Sequence, residues 1–191
     1  MPPEPAAPPI VTAEHLTIVY PTRDGDVTAL RDFSLSITPG EIVGLIGEGG
    51  CGKSTAALAM LGLLRPPARA VSGSVHLGSH DLLRMSRDAL RNLRGREVGL
   101  IVQNPRAALN PMLPIGRQIE AVYRAHNAVT TERAHQHAVM MLRMVGINDP
   151  ERRVAAFPHE ISGGMAQRVL IAMALSSKPK LLVAEIGRAH V

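Results

Sequence analysis

Apolar residues alternate singly near the start of this chain, gather into short unbroken runs, and then recur every three to four positions. Residues 15–20, HLTIVY, put Leu16, Ile18 and Tyr20 on one face, the pattern of a half-buried strand. Asp24-Gly25 signals a hairpin, and Phe33, Leu35 and Ile37 alternate on the returning strand. Pro39-Gly40 turns the chain into EIVGLI, residues 41–46, an apolar run that fits a buried parallel strand. A helix is expected after Lys53, with Ala57, Met60, Leu61 and Leu64 facing the core until Arg65-Pro66-Pro67 stops it.

A short strand pair follows around residues 74–77, then a helix over 87–94 with Ser86 as its N-cap. VGLIV, residues 98–102, reads as a strand that delivers Gln103 into the loop Asn104-Pro105. From Pro114 the texture is helical. Ile115, Ile119 and Val122 line one face, and Ala138, Met141, Leu142 and Val145 line another helix that Gly146 ends. His135 and His137 stand two apart on that helix, face different sides and make no metal site; solvent is their expected environment. Ser162-Gly163-Gly164 opens an apolar helix, Lys178-Pro179 closes it, and KLLVA, residues 180–184, reads as another buried strand.

The 191 residues suffice for one substantial core, one domain with two lobes. Apolar residues make up 46%, a globular composition, whereas aromatics make up 2%, so Tyr20, Phe33, Tyr123 and Phe157 each carry more information than usual. The net charge of +5 arises from scattered arginines with no aromatic-interleaved basic patch, which leaves nucleic acid unsupported as a partner. The single cysteine, Cys51, excludes an intrachain disulfide framework and suits a reducing cytoplasm. No apolar run reaches the length of a bilayer span. MPPEPAAPP has neither the basic nor the apolar region of a signal peptide, and residues 1–11 are expected to form a disordered Pro-rich tail.

The sharpest chemistry lies in residues 47–55, GEGGCGKST. Gly47, Gly52, Lys53 and Ser54 satisfy G-x-x-x-x-G-K-[ST], the phosphate-binding loop or Walker A motif. Glycines let successive backbone N–H groups turn inward onto phosphate oxygens, and the helix that follows adds its positive end. Lys53 would reach the β- and γ-phosphates as a point charge, and the Ser54 hydroxyl would take a place on Mg²⁺. Ser162-Gly163-Gly164 makes a second helix N-terminus ready for an anion. Tyr20, taken alone, reads as an ordinary strand-end tyrosine more readily than as a platform for a nucleobase.

Walker A, a loop glutamine and a helix-opening SGG in this order resemble the nucleotide-binding subunit of ATP-binding-cassette (ABC) transporters over residues 12–184. SGGMAQR is similar to the ABC signature. QNPRAALNP, residues 103–111, together with VGI near 145, ERR at 151–153 and FPHEISGGM, resembles the ATPases of peptide importers, a group that includes nickel and opine systems. The resemblance implies an α/β P-loop NTPase fold of the ABC type, with a mixed sheet core, an antiparallel β-subdomain and an α-helical subdomain at about 104–165, incomplete at the C-terminus. It implies ATP and Mg²⁺ as cofactors. Gly47, Gly49, Gly50, Cys51, Gly52, Lys53, Ser54 and Thr55 would hold the phosphates, and Tyr20 would stack on adenine, which reverses the reading from the residue alone. Gln103, as the Q-loop glutamine, would contact Mg²⁺ and the attacking water. Ser162, Gly163 and Gly164 would grip the γ-phosphate of ATP held by a second ATPase subunit, identical or a sister. Further implied partners are membrane permease subunits and, indirectly, a substrate-binding protein, on the cytoplasmic face of the inner membrane. Gly49 departs mildly from the serine common in the family.

A larger departure follows KLLVA. The family continues Asp-Glu-Pro; here Glu185 stands at the aspartate and Ile186 at the catalytic glutamate. EIGRAHV, residues 185–191, is what a common sequencing adapter encodes in one frame, so this tail is expected to be non-native. The competing expectation is a genuine truncated chain that binds ATP without hydrolysing it. A soluble ABC ATPase of DNA repair or chromosome structure is the third reading. It would need a long coiled coil between Gln103 and Ser162, where no sustained heptads occur.

Overall fold

The computed structural model describes residues 7–185, within which the chain divides into two compact units, up to Arg91 and from Asn92 onward. The expected tail at 1–11 is described only from residue 7, and the expected non-native tail only at Glu185; the remainder of both lies outside the described residues.

In the first unit, β1 (Val11–Thr22) and β2 (Gly25–Ile37) form the hairpin that Asp24-Gly25 announces. β3 (Arg69–Leu77) pairs antiparallel with the other edge of β1, and β4 (His80–Asp81) extends the sheet to the order β2-β1-β3-β4. β1 is longer than its alternation predicts because a bulge interrupts the period. His15 and Asp32 both take positive φ there, the register shifts, and their side chains pair at 2.7 Å. Leu16 and Ile18 stay fully buried.

α1 (Lys53–Met60) packs on this sheet through Ala56, Ala59 and Met60. The buried stripe is therefore turned from the expected one, Ala57 being only partly buried, and Leu64 lies beyond the helix. Helix geometry stops at Met60, several residues before the prolines. α2 (Arg87–Leu93) starts where expected, the Ser86 Oγ accepting from the Ala89 N–H at 3.2 Å.

The clearest correction concerns residues 41–46. They form no strand; Ile42 and Ile46 are 97% and 95% exposed. A strand is stable only when a neighbour takes its backbone hydrogen bonds. No described strand pairs with this run, so its apolar pattern finds no sheet.

The second unit holds β5 (Val98–Ile101) and β6 (Leu181–Ala184), a parallel pair in register from Val98–Leu181 to Ile101–Ala184. Buried on both faces was expected of β6. Instead Leu181 is buried and Leu182 is 40% exposed, since β6 has a hydrogen-bonded neighbour on one side among the described residues. Between these strands run α3 (Pro105–Ala108), α4 (Ile115–His126), α5 (Thr131–Met144), α6 (Pro150–Arg153) and α7 (Gly163–Leu175). Ile115, Ile119, Ala138, Met141, Leu142, Val169 and Ala172 close an apolar core among α4, α5 and α7.

His135 and His137 are not simply solvated. The His135 Nδ1 lies 3.0 Å from buried Glu120, which also pairs with Arg117. His137 stacks on Tyr123 with ring centroids 3.7 Å apart, and its Nε2 lies 2.9 Å from the Oγ of buried Ser176. The two side chains do diverge, as their spacing requires, but each meets a polar partner on a neighbouring helix or helix end.

Candidate functional site

The run that leads into residues 47–55 begins with a turn that holds itself shut. Both the backbone N–H and the hydroxyl of Thr38 donate to Glu41 Oε2, at 2.8 and 2.9 Å. These bonds hold the Glu41 carboxyl below the usual carboxylate range. Past the exposed run, the loop curls back. Gly52 takes φ +95°, a left-handed conformation, and an added Cβ there would strike the Ala29 carbonyl and approach Leu30 Cδ2. Glycine is required at that position on both counts.

Because Gly52 has no side chain, α1 opens with no side-chain cap. The Ala56 N–H bonds to the Gly52 carbonyl at 2.9 Å, and the amides before it have no helical acceptor. The Lys53 ammonium folds over the loop and donates to the carbonyls of Gly47 at 2.7 Å and Glu48 at 2.6 Å, with the Cys51 Sγ at 3.4 Å. A flexible cation is thus held over the loop by two of the loop's own carbonyls. Ser54 is exposed beside it, and Thr55 is buried. Tyr20, half-buried at the end of β1, sets its hydroxyl 3.4 Å from the Thr55 Oγ1, so the strand-end aromatic and the loop helix meet in one unit.

In the second unit Gln103 is exposed just beyond β5, and Glu185 follows β6, its N–H donating to the Ile101 carbonyl at 2.9 Å. Gln103 and Glu185 therefore emerge from the same ends of adjacent parallel strands. The Ser162 Oγ caps α7 by accepting from the Met165 N–H at 3.3 Å. Gly163 and Gly164 are unlike Gly52: an added Cβ at either meets nothing within 4 Å. Nothing in the packing of the described residues asks for glycine at these two positions.

Three residues of this region have roles that sequence reading did not assign. The Glu160 Oε2 accepts from the Phe157 N–H at 2.7 Å, fixing the turn before Ser162. The Arg168 Nη1 donates to the Gly146 carbonyl at 2.5 Å, tying α7 to the C-terminal end of α5, where a cation is favoured. Gln118, on α4, is buried and fully engaged. Glu160 and Arg168 lay inside the quoted FPHEISGG and SGGMAQR stretches, whereas Gln118 had no local signal.

Comparison with known proteins gives a consistent picture. Residues 30–185 match the family described as ABC transporter. The chain is 41% identical over 177 residues to the oligopeptide transport ATP-binding protein OppD of Bacillus subtilis, covering 92% of this chain and 49% of that protein. It is 38% identical over 176 residues to the dipeptide transport ATP-binding protein DppD of Escherichia coli, covering 92% and 54%. Among solved structures it resembles an ATP-binding cassette in a dimeric post-hydrolysis state bound to ADP and Pi, with TM-score 0.80 and 27% identity over 91% of this chain and 72% of that one. The chain spans about half the length of these two curated relatives.

Proposed function

The chain belongs to the ABC transporter family, with the α/β fold of its ATP-binding cassettes, and from that premise we propose that it is the ATP-binding and ATP-hydrolysing subunit of a peptide uptake transporter. The observation that carries this reading is a contrast between two helix starts. α1 has no side-chain cap and keeps its first amides for a ligand, while α7 opens on two glycines that its own packing does not require.

The donor set fits a nucleotide. Backbone amides around Gly50–Thr55 and the Lys53 ammonium suit phosphate oxygens, and the Tyr20 ring offers an apolar face to adenine. The Ser54 hydroxyl and the Gln103 amide oxygen are hard donors suited to Mg²⁺, which when bound neutralises charge on the phosphates. Lys53 exchanges its two carbonyl partners for phosphate oxygens and orients the chain of phosphates. Gln103 positions the attacking water. Ser162, Gly163 and Gly164 close on the γ-phosphate held by a second subunit, and the open space at both glycines supports this role because a phosphate needs close backbone approach. The relatives' names, oligopeptide and dipeptide transport ATP-binding proteins, support peptides as cargo; a permease partner and a peripheral place on the cytoplasmic face of the inner membrane follow from the transport reading itself. Among the described residues no helix is long and apolar enough to cross a membrane.

We also assign the domain as residues 12–184, with its helical subdomain at about 104–165. One feature favours a second reading, ATP held without turnover: Glu185 is followed by Ile186, an alkyl side chain that cannot polarise water. An ATPase assay separates the two readings. Co-purification of the full-length protein with its membrane permease tests the transport role; failure to associate would point to a soluble ABC ATPase.

A further inference from the structure

The segment between Gln103 and α4 is held by more hydrogen bonds than its loop-like sequence suggests. The Asn104 Oδ1 caps α3, accepting from the Ala107 N–H at 3.3 Å. Leu109 is buried in the helical core. From there Gln118 takes over. Its Oε1 accepts from the Asn110 N–H, and its Nε2 donates to the carbonyls of Asn110 and Leu113, all three at 2.9 Å. The Asn110 Oδ1 accepts in turn from the Met112 N–H. A buried glutamine that spends its whole amide on one loop sets that loop's backbone and leaves it little freedom.

The turn of α4 that carries Gln118 is itself fastened to the chain leading to Ser162. The Ile115 and Gly116 N–H groups donate to the carbonyls of Ala156 and Val154 at 2.8 and 3.0 Å. An added Cβ at Gly116 would strike the Val154 side chain and carbonyl, so the two backbones approach as closely as they can. α3 and α4 also both pack on α7.

We propose that Gln118 is a positioning residue that makes the segment after Gln103 and the signature-bearing helix α7 one rigid piece. Residues 104–119 then carry no slack, and a change at Gln103 is transmitted to Ser162 rather than absorbed in the loop. This inference rests on the ATPase reading above and adds a residue to which that reading gives no role.

The test uses the full-length protein in its transporter with the membrane subunits. Gln118→Met keeps the length of the side chain and removes all three hydrogen bonds. The expected result is an unchanged KM for ATP, because the phosphate loop is untouched, with kcat at least fivefold lower and faster amide hydrogen exchange over 109–116. Gly116→Ala, which pries the same turn from Val154 while leaving Gln118 in place, should give the same split. Hydrogen exchange that quickens with kcat within twofold of wild type overturns the proposal. So does a fall in kcat that merely tracks the folded fraction in both variants. Wild-type protein without turnover, or turnover indifferent to Lys53→Ala, would instead remove the ATPase reading, and this inference with it.

Discussion

At the residue scale, legibility followed how many constraints converge on one position. Lys53 and Gly52 were readable because the motif demands a cation and a left-handed backbone, and the structure adds the steric reason at Ala29. The Cys51 side chain is not one that the motif requires, yet its exposed thiol lies 3.4 Å from the Lys53 ammonium inside the loop. Alkylating it should block ATP binding by filling that space; modified protein that titrates with a fluorescent nucleotide like the unmodified form would refute this. Gly164 separates stability from function. An added Cβ there meets nothing, and alanine is the better helix former. Gly164→Ala should therefore leave stability unchanged or raise it by up to about 1 kcal/mol in urea denaturation, while ATPase activity falls. Full activity in that variant would show that the glycine is not kept for a ligand.

Elements were legible where one period ran undisturbed. α4, α5 and α7 emerged close to their expected positions because apolar spacing, Gly146 and Ser162 agreed. α1 rotated its buried stripe because the sheet it packs on, which no local pattern specifies, selects Ala56 and Ala59. The histidines of α5 were misjudged for the same kind of reason: Tyr123 and Ser176 reach His137 from distant parts of the sequence. Burial holds the His137 imidazole below its usual range, hydrogen bonding to the Ser176 backbone opposes this, and Lys178 adds to the lowering. Unfolded, the ring titrates near its ordinary value of about 6.5. The unfolded chain thus takes up the proton first. The stability that neutral His137 contributes is complete above that pH and is lost as pH falls toward the lower folded value. The melting temperature should drop between pH 7.5 and 5.5, and His137→Gln should shrink that drop. An equal drop in the variant would assign the pH dependence to other groups.

For the whole molecule, the family, the β1–β2 hairpin and the strands that became β5 and β6 could be read from sequence, but the state of residues 41–46 could not. EIVGLI has the composition of a buried strand, and pairing depends on a neighbour that its own residues do not encode. Ile42 and Ile46 instead stand almost fully exposed, close to Val43 and Leu45. Such a run is a template for intermolecular pairing. The 191-residue chain should self-associate at micromolar concentration, and Ile42→Lys with Ile46→Lys should suppress that in light scattering; a monomeric wild-type chain would contradict the expectation. The measurement that tests the central claim most directly is equilibrium titration of the full-length protein with a fluorescent ATP analogue and Mg²⁺, beside Lys53→Ala. The account predicts saturable binding that the substitution largely abolishes. Absence of binding, or wild-type affinity in Lys53→Ala, would contradict it.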